Sequence, residues 1–60
     1  MKEQFRSILA LSADSPEELR PSDVFRVVDE ADDLGVKAEF VNWLLSENLK
    51  PRTRISLEEI

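Results

Sequence analysis

Four carboxylates packed into five residues, Asp29, Glu30, Asp32 and Asp33, are the side chains of this 60-residue chain best placed to do chemistry. Carboxylates following an apolar pair, here Val27-Val28, can hold magnesium and activate a water when they end a buried strand beside a phosphate-binding loop. That chemistry needs a G-x-x-x-x-G-K-[ST] loop, and the chain has a single glycine. The apolar residues around the string also recur at the period of a helix rather than a strand. A calcium loop fails as well, because Ala31 occupies the second ligand position after Asp29. With His 0, Cys 0 and Tyr 0, no side chain of the usual kinds is present for proton transfer or nucleophilic attack, nor a zinc site of the usual ligands. The sequence calls for no enzyme, no cofactor and no metal. The acidic string therefore reads as a recognition surface, in which charge steers encounter and an aromatic neighbour supplies affinity.

Two aromatics are candidates for that neighbour. Phe25 falls off the apolar stripe of its own segment, within reach of Asp29 at i+4 and Asp32 at i+7. The bland alternative packs it against Phe5, Leu9 or Leu19. Trp43 sits at the edge of a wide apolar arc next to Glu39 and Ser46, which predicts partial exposure. Phe25, Asp29, Asp32, Asp33 and Trp43 are the expected partner-binding residues. Charge is segregated along the chain: residues 22–35 carry Asp23, Asp29, Glu30, Asp32 and Asp33 against Arg26 alone, whereas Lys50, Arg52 and Arg54 cluster in the tail. A tail folding back over Asp32 and Asp33 would neutralise both. With a net charge of −5 and a pI near 4.5, the chain repels nucleic acid and anionic membrane in the mean field.

The elements that position these residues follow from periodicity and punctuation. Met1, Phe5, Ile8, Leu9 and Ser12 form one stripe, predicting a first helix over 3–12. Ser15-Pro16-Glu17-Glu18 reads as a single helical turn at 16–20, capped by Ser15, closed by Glu18, ended by Pro21 and anchored by Leu19. Ser22 caps a second helix over 22–34, with Val24, Val27, Val28, Ala31 and Leu34 facing inward and Gly35 stopping it at positive φ. A third helix over 37–49 carries Ala38, Phe40, Val41, Trp43, Leu44, Leu45 and Leu49, an arc too wide for one core contact. Pro51 ends it, so Lys50 to Ile55 is read as extended, and Ser56-Leu57-Glu58-Glu59 as the start of another helix. Either a closing turn packs Leu57 and Ile60 onto the bundle, or residues 1–60 are the front of a longer protein. The fold class is all-α: a single small three-helix bundle of helix-turn-helix type, with an extended C-terminal tail.

Ala31, Gly35, Val36, Val41 and Leu44 stand at the spacing of a helix-turn-helix unit, and residues 22–49 resemble that scaffold. The tail PRTRISLEEI is similar to the wing and following helix of excisionase-like winged regulators. The resemblance implies a DNA-binding regulator in which Lys37, Glu39 and Asn42 read bases while Arg52 and Arg54 clamp the backbone. In that arrangement Asp29, Asp32 and Asp33 lie where phosphates pass, so nucleic acid is the disfavoured partner. The preferred reading is a small non-catalytic interaction module or regulatory protein that docks a basic or apolar-basic protein surface. Symmetric dimerisation through the wide face of the third helix is the further alternative. The longest apolar runs are three or four residues, far short of a membrane span, and the location expected by default is cytoplasmic.

Overall fold

A computed structural model describes residues 2–60 as four short α-helices: α1 (Lys2–Leu9), α2 (Val24–Asp33), α3 (Lys37–Leu45) and α4 (Pro51–Glu58). Two single-turn 3-10 helices, Pro16–Glu18 and Pro21–Asp23, bridge α1 and α2. Among the described residues there is no strand, and the fold is all-α. Met1, assigned by periodicity to the first stripe, lies outside the described residues.

Each prolyl helix start uses proline as the first helical residue, where its missing N–H and fixed φ suit the geometry. Ser15 precedes Pro16 in extended conformation as expected, but its side chain makes no capping hydrogen bond. Leu19 follows that turn with no exposed surface. Pro21 opens a second turn that runs directly into α2, so Ser22 lies inside a helical run and Asp23 stands at the N-cap position of α2. The end of α2 matches the sequence expectation closely. Gly35 has φ +76°, its N–H donates to the Asp32 carbonyl at 3.0 Å, and the Val36 N–H donates to the Ala31 carbonyl at 2.9 Å. These are the two bonds of a Schellman stop.

Three expectations are corrected. The first concerns helix lengths. α1 loosens into turns after Leu9, with the Ser12 and Ala13 N–H groups both donating to the Leu9 carbonyl at 2.9 Å. α3 ends at Leu45, not Leu49, because the Ser46 hydroxyl donates back to the Trp43 carbonyl at 2.6 Å and closes the last turn. Leu49 still reaches the core, from the connecting loop.

The second correction is the tail, which is a fourth helix rather than an extended wing. Lys50 takes the extended conformation required before proline (φ −66°, ψ 147°), and Pro51 then starts α4. Thr53 and Leu57, four residues apart on one face, are both buried. The Thr53 hydroxyl donates to the Leu19 carbonyl at 2.7 Å, tying α4 to the segment between the 3-10 turns. Ser56 therefore lies within α4 instead of capping a later helix.

The third correction concerns Trp43 and Leu34. Trp43 is only 9% exposed, and its ring meets Phe5 at 5.6 Å and Phe40 at 6.0 Å between centroids. Phe5 also meets Phe40 edge-on at 5.9 Å. The wide arc of α3 is thus shared among several neighbours: Phe5 from α1, α2 and α4. Leu34, in contrast, is half exposed: at 100° per residue it falls at the margin of the Val24, Val27, Val28 and Ala31 stripe, at the very end of α2.

Candidate interaction surface

The core face of α2 is taken by Val24, Val27, Val28 and Ala31, all buried. At 100° per residue the remaining arc must carry Phe25, Asp29, Asp32 and Asp33. All four are exposed, Phe25 by 69%. Phe25 belongs neither to the buried core nor to the partly buried apolar residues packed against it. Asp29 stands roughly 6 Å and Asp32 roughly 10 Å further along the helix axis, on the same strip of surface. Arg26 is exposed beside them. An exposed phenylalanine forgoes about 1.5–3 kcal/mol that burial would contribute.

The charges are also placed against the local field. The last turn of α2 contains no basic residue, so Asp32 and Asp33 face the negative end of the helix dipole, each at a cost of a few tenths of a kcal/mol. The tail does not relieve them through Arg54, whose guanidinium donates to the Glu47 carbonyl at 3.1 Å. A cation brought from outside would.

Trp43 does not belong to this surface; it is core. The residues that the helix-turn-helix resemblance singles out divide in two. Lys37 and Asn42 are exposed and share a hollow of about 450 Å³ with Ala38, Val41 and Ile60. Arg52 and half-buried Arg54 lie on different sides of α4. A second hollow, about 500 Å³, lies between the end of α1 and the 3-10 turns and is lined by Leu11, Asp14, Glu18, Arg20 and Asp23 among others. Among the described residues no group of three His, Cys, Asp or Glu side chains is arranged to hold a metal ion. No helix among them is long and apolar enough to cross a membrane.

Ile55 and Leu11, each 55% exposed, have no role in the sequence expectations. For Ile55 the signal was available: Thr53 and Leu57 at i and i+4 define the buried face of a helix, which turns Ile55 outward. Set against known proteins, the chain matches no family model, no curated protein and no solved structure.

Proposed function

We propose that this chain is a non-catalytic protein-interaction module whose recognition surface is the outer face of α2. The observation that carries this reading is Phe25, 69% exposed on α2 beside Asp29, Asp32 and Asp33. A partner with a basic, apolar-tipped surface would cover the ring, supply counter-charge to the carboxylates and relieve the unfavourable end of the helix dipole. The aromatic would carry most of the affinity and the aspartates most of the encounter rate.

Titration with an amphipathic lysine–leucine helical peptide and with a mixed DNA duplex pool tests this. The expected result is peptide binding that Phe25→Ala weakens by about 2 kcal/mol or more, with Asp32→Asn and Asp33→Asn weakening it further. Binding to the duplex pool that the same aspartate changes tighten, and that removal of Arg52 and Arg54 weakens, would overturn the reading in favour of a DNA-binding regulator.

A further inference from the structure

We infer that the partner of the α2 face is a second copy of this chain, presenting the outer face of α4. The inference rests on the proposed role of the α2 face and names its occupant. The chemistry that the α2 face asks for, an apolar tip beside basic groups, is present on the chain itself. Burial of Thr53 and Leu57, with the Thr53 hydroxyl held by the Leu19 carbonyl, turns Arg52, Ile55 and Glu59 to the opposite side of α4. Ile55 is 55% exposed, and Lys50 and Arg52 are exposed just before it.

The order of the groups along the two helices is complementary. Along α2 from its start come Phe25, then Arg26, then Asp29, then Asp32 and Asp33. Along α4 read backwards from its C-cap come Glu59 and Glu58, then Ile55, then Arg52, with Lys50 in the extended segment before the helix. Laid antiparallel with Ile55 on Phe25, the faces bring Arg52 towards the aspartates and carry Glu58 and Glu59 away from them, past the start of α2. The spacing agrees: the aspartates start roughly 6 Å beyond Phe25, and Arg52 stands roughly 4.5 Å beyond Ile55. The parallel arrangement would set Glu58 and Glu59 against Asp29, Asp32 and Asp33, so charge selects one direction. The contact joins two different surfaces, each copy having one of each kind to offer.

Sedimentation equilibrium of the wild-type chain and of Phe25→Ser and Ile55→Ser, at low and high salt, tests the inference. Both substitutions lie on exposed positions, and circular dichroism checks that each variant folds. The wild-type mass is expected to rise with concentration and to fall back as salt is added. Each variant alone is expected to associate at least about thirtyfold more weakly. An equimolar mixture of the two is expected to restore association as a one-to-one pair, because each variant supplies the face that the other lacks. A chain that stays monomeric at every concentration overturns the inference. So does association that both variants retain unchanged, which would point instead to the outer face of α3. Titrating the same proteins with the lysine–leucine peptide separates the two readings. Peptide binding through Phe25 by a monomeric chain leaves the interaction module standing without self-association, and absence of both removes both.

Discussion

Phe25 and Trp43 exchange the roles that residue type alone would assign them. The larger ring is core and the smaller one is surface, and stability measurements should separate them cleanly. Phe25→Ala is expected to change unfolding free energy by no more than about 0.5 kcal/mol in urea denaturation, because little of the ring is buried. Trp43→Ala should cost about 3–5 kcal/mol, enough to unfold much of a 60-residue domain. Thr53 gives a third residue-level test. Thr53→Val keeps the shape but leaves the buried Leu19 carbonyl without its donor at 2.7 Å, and should cost about 1–3 kcal/mol. Of the candidate site, Phe25 and the three aspartates were legible, because the valine stripe of α2 leaves them only the outer arc. Trp43 was not, since the ring that covers it, Phe5, comes from a different helix.

At the scale of elements, helix starts and stops depended on backbone chemistry more than on side-chain caps. Gly35 is the clearest case, with φ +76° and no atom beyond its immediate chain neighbours within 4 Å of where a Cβ would be built. Gly35→Ala should therefore act through the backbone alone, costing about 1 kcal/mol, and Gly35→Val somewhat more; thermal unfolding of both variants checks this. The Gly35 stop was legible because few residues tolerate that conformation. The ambiguity of proline accounts for the error in the tail. Pro51 ends the preceding segment and equally favours the first turn of a new helix, and only the buried pair Thr53 and Leu57 decides between them.

On the scale of the whole molecule, extents of 25 × 22 × 18 Å leave little interior, and the net charge of −5 adds self-repulsion. Salt should then act with opposite signs on two measurements. Moderate salt screens the repulsion within one chain, so Tm at high dilution is expected to rise, while association through the α2 face is expected to weaken over the same range. A parallel fall of both would show that ion pairs, not repulsion, dominate the charge balance of the monomer.

Local patterns in the sequence determined the helical class, the apolar face of α2, the glycine stop and the acidic outer strip, because each depends on residues within a turn or two of one another. Tertiary structure decided what distant residues share: the aromatic packing of Phe5, Phe40 and Trp43, and the bond that joins Thr53 to Leu19 across 34 positions. Those contacts turn the tail into α4 and set Ile55 outward beside Arg52. Periodicity reports which side of an element is apolar; which neighbour covers that side depends on how the chain folds back on itself.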